Sequence, residues 1–165
     1  VVEVVEQNRL PEEVVVEGED SSEVWGGFRV ARRARPIGLA VSDAEVAVVN
    51  CGHDGYRRLP GAPTHWRTWS MGERSLLIED TVDGGVGRAE ARYHLHPGAR
   101  LEPGPQPNAG LIRLADGKAV RWAAKHGRVR IEPSTYHPRF GTSQPSQCLV
   151  VDLVAGLGSL EIEWD

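Results

Sequence analysis

Side chains capable of proton transfer cluster between His53 and Asp80, in a stretch that begins H-D-G-Y-R-R-L-P-G-A-P-T-H-W-R-T-W. A histidine titrates near neutral pH, and a tyrosine can pass a proton when its pKa is lowered. Such a pair suits removal of the proton α to a carboxylate, which is the first step of β-elimination from a uronic acid. His53 and Tyr56 are therefore the candidate catalytic residues.

Cationic and aromatic side chains in the same region are suited to hold an acidic sugar. A guanidinium group near the reacting carbon would neutralise the carboxylate and stabilise an enolate-like anion. A tryptophan ring offers a flat apolar face on which a sugar can pack. The alternation of the predicted strand places His65 and Arg67 on one face. The candidate substrate-binding residues are Arg58, His65, Trp66, Arg67 and, upstream, Arg33.

A structural interpretation of these residues stays open beside the chemical one. His53 and its neighbouring aspartate can tie a turn, and a tyrosine can pack its ring while its hydroxyl bonds to a backbone carbonyl. His65, Arg67 and Asp80 can form a polar network across neighbouring strands. The sequence leaves two interpretations, an open surface for an acidic sugar or a network sealed inside the fold.

An arginine-rich stripe precedes this region, in W-G-G-F-R-V-A-R-R-A-R-P-I-G-L-A-V from Trp25 to Val41. The period of two predicts one strand with Arg29, Arg33 and Arg35 on the same face. Guanidinium groups form paired, charge-assisted hydrogen bonds with carboxylates and sulfates. The stripe is either a contact for such groups or a solvated outer face.

The elements that must position these residues are predicted to be strands. Short runs of alternating apolar and polar residues recur between turn signals such as Asp83-Gly84-Gly85 and Asp116-Gly117, and no helical period persists. We predict an all-β fold, a two-layer antiparallel, supersandwich-like β-sandwich of about a dozen strands. It forms a single domain over residues 1–165, in which 1–24 are acidic, valine-rich edge strands and 25–165 the main sandwich.

Charge is unevenly placed along the chain. The net charge is −4, but residues 1–24 carry eight acids against one arginine, a balance of −7 that leaves +3 for the rest. A mildly basic body suits an anionic ligand, whereas nucleic acid calls for a much stronger basic excess. No apolar run approaches the roughly 20 residues that span a bilayer. We therefore expect neither a nucleic-acid nor a membrane partner.

Metal and thiol chemistry have little support in the sequence. His94 and His96 have a spacing that can chelate zinc, but a third ligand is missing, so we predict no metal site and name them as the only candidates. Cys51 and Cys148 lie far apart and in no C-x-x-C motif. They are either buried free thiols or a disulfide, and the compartment stays open.

The order of these features resembles the C-terminal β-sandwich domain of the heparinase II/III-like polysaccharide lyases. In that family a His-x-Gly-Tyr element precedes a His-x-Arg strand and a strand that ends in Asp, which here are His53 to Tyr56, His65 to Arg67, and Asp80. The resemblance extends in weaker form from about Asp20 to about Ser146. The chain departs from the family at Pro11-Glu12, where a His-Asn pair is expected, and this removes a histidine that could serve a metal.

The resemblance implies a part in β-eliminative cleavage of an acidic polysaccharide. Family members carry most of the cleft on an N-terminal helical toroid, for which this sequence has no helical pattern, so we expect the isolated chain to be inactive. It implies a divalent metal only for a full-length parent, no cofactor here, and a periplasmic or secreted location. A stand-alone carbohydrate-binding module and a purely structural sandwich are the alternatives.

Overall fold

The computed structural model describes residues 12–25, 29–139 and 141–165, and these contain fourteen strands and one short 3-10 helix. The first valine-rich strand predicted upstream of Asn8 lies outside the described residues. Within the described part of the chain, no helix is long and apolar enough to span a membrane.

The strands follow one another closely along the chain. In chain order they are β1 (Glu12–Val16), β2 (Glu23–Trp25), β3 (Arg29–Ala31), β4 (Pro36–Asp43), β5 (Ala47–His53), β6 (His65–Met71), β7 (Ser75–Val82), β8 (Ala89–His94), β9 (Arg100–Pro103), β10 (Ala109–Arg113), β11 (Ala119–His126), β12 (Arg128–Tyr136), β13 (Gln144–Asp152) and β14 (Leu157–Glu163). The 3-10 helix, Gly55–Arg58, follows β5.

Two antiparallel sheets form the layers of a sandwich, which confirms the predicted fold class. The small sheet has the order β1-β8-β13-β12, and the large sheet has the order β4-β5-β6-β7-β14-β11-β10-β9. Among the described strands, β2 and β3 pair only with each other, as a separate hairpin. All the pairings are antiparallel.

The core lies between the inner faces of the two sheets. Strand β8 shows the predicted alternation, because Ala89, Ala91 and Tyr93 face the core while Arg92 and His94 do not. Branched and aromatic side chains of both sheets fill the space between them, and apolar burial of this kind is the main source of stability. The largest fully buried side chains of the core are those of Val16, Tyr56, Ile78, Leu149, Val151 and Leu160.

The large sheet is wider than the small one, so its β4 side overhangs the sandwich. One row of cross-strand partners runs through Val41, Val49, Trp69, Ile78 and Leu160, and directly opposed residues share a face. Ile78 is 1% exposed, whereas Val41 is 68% exposed. Along this row, the inner face of the large sheet is therefore buried in the core at β7 and exposed to solvent at β4.

Two sequence predictions are wrong in their connections. The single strand predicted from Trp25 to Val41 is broken, so that Arg33 and Arg35 lie in the loop between β3 and β4. The break occurs where Arg32 adopts a left-handed backbone with φ of 45°. The hairpin predicted at Asp83–Gly85 is instead a crossing between sheets, because β7 pairs within the large sheet and β8 within the small one.

The two cysteines belong to different sheets and are both free thiols. Cys148 on β13 is fully buried, and burial raises the pKa of its thiol to about 11. Cys51 on β5 is partly buried. The structure thus agrees with the free-thiol interpretation.

Candidate functional site

Strand register brings the predicted polar residues together around one aspartate. On the large sheet, His53 lies opposite His65, and Arg67 lies opposite Asp80. Tyr93 reaches the same aspartate from the small sheet. We call these five residues, His53, His65, Arg67, Asp80 and Tyr93, the Asp80 cluster.

Asp80 is 1% exposed and accepts hydrogen bonds from three side chains. Arg67 binds it with a two-point contact, Nε to Oδ1 at 2.7 Å and Nη2 to Oδ2 at 3.0 Å. His65 Nε2 lies 2.7 Å from Oδ1, and the Tyr93 hydroxyl donates to Oδ2 at 3.2 Å. Burial alone would raise the pKa of Asp80, but the Arg67 charge and the hydrogen bonds outweigh it and lower this pKa to about 2.

The proton positions on both histidines follow from the hydrogen-bond network. The Gly55 backbone N–H donates to His53 Nδ1 at 3.3 Å, so the proton of a neutral His53 ring is on Nε2. That Nε2–H donates to His65 Nδ1 at 3.0 Å, which leaves His65 Nε2–H to donate to Asp80. Burial, and then the neighbouring His65, lower the pKa of His53 to about 4, consistent with a neutral ring. Both ring nitrogens of His53 are therefore engaged.

Tyr56 and Arg58 tie the 3-10 helix to the N-terminal part of the chain. Tyr56 is fully buried, its hydroxyl donates to the Val14 carbonyl, and burial raises its pKa. Arg58 donates to the backbone carbonyls of Asp20, Ser21 and Gly55. This geometry does not support the predicted catalytic role of Tyr56 or the substrate-binding role of Arg58, because both polar groups are already used.

Trp66 lies on the outer face of the large sheet, opposite His65 and Arg67. Its ring rests on two glycines: a Cβ added at Gly38 would come 2.5 Å from the ring, and one at Gly52 would come 2.7 Å from it. Trp66 is itself only partly buried. The residues predicted to bind substrate are therefore divided between the two faces of the sheet.

Exposed arginines surround the loop that follows His53. Arg35 donates its backbone N–H to Asp54 Oδ1 at 2.8 Å, and Asp54 is the residue that precedes the 3-10 helix. Arg33, Arg35 and Arg57 are exposed and form no ion pair with any described residue. We call these three residues the arginine rim.

The sequence prediction named Arg33 and Arg58, whereas the structure exposes Arg33 and the neighbouring Arg57. The side chain of Arg58 is only 10% exposed, whereas Arg57 is exposed. On a short 3-10 helix, adjacent residues point to different sides. The buried Tyr56 just before them was the available signal that one of the two arginines faces inward.

The structure shows no metal site at His94 and His96. His94 Nδ1 contacts Ser134 Oγ at 2.9 Å, and His96 Nδ1 accepts from the Gly98 backbone N–H at 3.0 Å. Among the described residues, no group of three or more His, Cys, Asp or Glu side chains is arranged to hold a metal ion. The described residues therefore do not fit the divalent metal considered for a full-length parent.

These features define a two-sheet β-sandwich with a closed polar cluster inside and unpaired arginines at one end. The family described as heparinase II/III-like, C-terminal, matches residues 14–165, and the chain belongs to this family. No curated protein matches the chain significantly in sequence.

Solved structures of similar fold come from much longer proteins. Heparan sulfate lyase HepC from Pedobacter heparinus is similar with 12% identity and a TM-score of 0.67, over 92% of this chain and 23% of HepC. A heparinase III is similar with 10% identity and a TM-score of 0.63, over 91% of this chain and 23% of that protein. The chain thus spans less than a quarter of the length of these lyases, and at such identity the likeness shows the fold alone.

Proposed function

We propose that this chain is the β-sandwich part of a lyase that cleaves an acidic, uronate-containing polysaccharide by β-elimination, and that it borders the bound polysaccharide. Membership of the heparinase II/III-like family supports the reaction class. The +3 balance outside residues 1–24 supports an acidic ligand. We expect the N-terminal helical toroid and any divalent metal in other parts of a periplasmic or secreted parent protein.

The arginine rim is the observation that carries this proposal. Exposed arginines on folded proteins commonly pair with nearby carboxylates, and several do so here, such as Arg113 with Glu102 and Arg121 with Glu163. The three rim arginines have no such partner among the described residues. An unpaired guanidinium is a ready donor for carboxylates and sulfates, since its fork matches their geometry.

The Asp80 cluster is linked by hydrogen bonds to the loop that carries the rim. Asp54 follows His53 and holds the loop of Arg35, while His53 is fixed through His65 to Asp80. The loop that displays the rim is therefore anchored to the most buried charge of the sandwich. Catalysis by His53 stays a prediction, and it requires the Nδ1 atom to give up the Gly55 N–H before it can accept a substrate proton.

Retention on immobilised heparan sulfate tests the proposal. We expect a triple variant, Arg33→Ala, Arg35→Ala and Arg57→Ala, to elute at a clearly lower salt concentration than the wild type, because each sulfate or carboxylate contact adds to the salt dependence. The matched control is Arg113→Ala, Arg121→Ala and Lys125→Ala, which removes three exposed cations that are already ion-paired. Equal elution of both variants would refute a role for the rim.

Activity is tested separately, by the absorbance of the unsaturated uronate product. We expect the isolated chain to give no product and a parent protein to give product. If no uronate polymer is retained and no product forms in either case, the sandwich is a structural support. The closed hydrogen bonding of the Asp80 cluster is the observation that favours this second candidate.

A stand-alone carbohydrate-binding module is the third candidate, and the position of Trp66 is the observation that favours it. Its ring lies along the outer face of the sheet on Gly38 and Gly52 and is only partly buried. Retention of a neutral polysaccharide that is lost in Trp66→Ala would support a module. Retention that depends on the arginine rim and on acidic groups alone would exclude it.

A further inference from the structure

The outer face of the small sheet carries a lattice of ion pairs that the proposed function does not use. Arg92 on β8 and Arg130 on β12 are both register partners of Val150 on β13, so the three residues form one row. Arg92 reaches diagonally over β13 to Glu132 at 2.7 Å, and Arg130 reaches over it to Glu90 at 2.6 Å. Val150 is fully buried beneath these crossing pairs.

The carboxylates of this lattice are saturated with arginine donors. Glu90 is buried and accepts from Arg88 at 3.0 Å, from Arg92 at 2.5 Å and from Arg130 at 2.6 Å. Arg130 also binds Asp152 and, at 2.6 Å, Glu132. Burial would raise the pKa of Glu90, but the arginine hydrogen bonds outweigh it and lower that pKa. The lattice is therefore a fixed array of charges whose acids are already neutralised.

A cleft of about 480 Å³ opens at the end of the lattice. Its charged lining consists of Arg88, Arg128, Arg130 and Asp152, three cations and one anion, and the anion is already bound to Arg130. Arg128 is exposed and forms no ion pair with a described residue. The side chain of Arg88 is 68% exposed, and among the described residues Glu90 is the one carboxylate that its guanidinium binds. Arg88 and Arg128 therefore each have guanidinium N–H groups that are available as donors at this cleft. We call it the Arg88-Arg128 cleft.

The cleft lies at the same end of the sandwich as the arginine rim. Strand β6 begins and β7 ends at this end, beside His53, and the segment after β7 leads directly to Gly87 and Arg88. Strand β12 begins with Arg128 where β13 ends with Asp152, next to Glu90. The rim arginines and Arg128, none of which has an ion-pair partner among the described residues, therefore lie at one end of the sandwich.

We propose that the Arg88-Arg128 cleft is a second subsite that binds an oxyanion group, a sulfate or a carboxylate, of an anionic ligand. Arg128 and Arg88 donate from their open forks, while Arg130, whose three guanidinium nitrogens already bind Glu90, Glu132 and Asp152, fixes the wall of the cleft between them. Because Glu90 already holds one nitrogen of Arg88, ligand binding costs less side-chain entropy at that residue. The identity of the natural ligand as an acidic polysaccharide rests on the proposed function, whereas the oxyanion site itself does not.

Inorganic sulfate tests the oxyanion site without any polysaccharide. In a titration at constant ionic strength, followed by NMR of the arginine Nε–Hε groups, we expect the signals of Arg88 and Arg128 to shift and saturate. The signal of Arg113, which is exposed and paired with Glu102, is the internal control. We expect Arg128→Ala to weaken sulfate binding about tenfold, as the loss of one charge-assisted contact implies. Arg128→Lys, which keeps the charge but loses the fork, is expected to restore it only in part.

Equal, unsaturated shifts at Arg113 and Arg128, or unchanged binding in Arg128→Ala, would overturn the cleft as a site. Binding experiments with two polysaccharides identify the source of the oxyanion. Binding of heparan sulfate but not of unsulfated hyaluronan indicates sulfate, whereas equal binding of both indicates carboxylate. If sulfate binds but neither polymer does, the proposed function fails and the cleft stands. If the polymers bind through the arginine rim while sulfate does not bind at the cleft, the cleft fails and the proposed function stands.

Discussion

Among single residues, Asp80 connects more of the molecule than its place in the sequence suggests. Its partners come from β6, through His65 and Arg67, and from β8 of the opposite sheet, through Tyr93. A buried carboxylate is tolerated only when its charge is matched and its lone pairs are used. Asp80 meets both conditions, so one side chain joins the two layers of the sandwich at the point where the candidate residues meet.

We predict that Asp80→Asn costs about 3–5 kcal/mol of unfolding free energy, because it leaves the buried Arg67 charge without its carboxylate. The measurement is urea unfolding followed by tryptophan fluorescence. Asp116→Asn is the control, since Asp116 lies in an exposed turn next to Lys118, where a substitution changes stability little.

If Asp80→Asn lowers the free energy of unfolding by less than about 1 kcal/mol, this carboxylate does not balance the buried Arg67 charge as we infer. If that variant does not fold, Tyr93→Phe is the milder test. It removes only the hydroxyl that donates to Asp80 Oδ2, and we expect a cost of about 1 kcal/mol.

At the level of elements, local patterns in the sequence predicted most of the strands well but did not predict which strands pair with each other. The alternation along β6 correctly placed His65 and Arg67 on one face, because successive side chains of a strand point to opposite faces of the sheet. Alternation does not say which face is inward when both faces carry aromatic and polar residues. The sequence therefore left open whether these two side chains are exposed, and the structure shows them buried.

The predictions that failed depended on contacts distant in sequence. The turn at Asp83–Gly85 has the residues of a hairpin, yet β8 pairs with β13, more than fifty residues further along the chain. The predicted strand across Arg33 is interrupted because Arg32 turns the backbone and pairs with Glu23. Neither the partner of β8 nor that ion pair can be read from local spacing.

The contact between β5 and β6 gives a test at the scale of a strand pair. Gly52 lies opposite Trp66, and a Cβ there would come 2.7 Å from the ring and 2.9 Å from the His65 carbonyl oxygen. We expect Gly52→Ala to cost about 2 kcal/mol, as overpacking does. In a Trp66→Ala background the cost is expected to fall by about 1 kcal/mol, because one of the two contacts is gone. Urea unfolding of the wild type, the two single variants and the double variant measures this coupling, and additive losses would show that the ring does not rest on the glycine.

For the molecule as a whole, the unequal width of the sheets separates a stabilising half from an overhanging half. The small sheet covers β7, β14 and β11, where Ile78, Leu160 and Trp122 are buried. Beyond β6 no strand of the small sheet in the described part of the chain covers the large sheet, and Leu39 and Val41 on β4 are mostly exposed. The unpaired arginines of the rim follow the same overhanging side, since Arg33 and Arg35 lie in the loop that leads into β4. The part of the sandwich that contributes least to the core is thus the part that carries the arginine rim.

Substitutions along the row from Val41 to Leu160 test this division directly. We expect Ile78→Ala to cost about 2–5 kcal/mol, because it opens a cavity where the two sheets meet. Val41→Ala, at the far end of the same row, is expected to change stability by less than about 0.5 kcal/mol, since little of its surface is buried. Both values come from urea unfolding of the chain under identical conditions. A cost above about 1 kcal/mol for Val41→Ala would mean that the overhang is covered in solution, and the exposed end of the sheet would then be unable to border a polysaccharide.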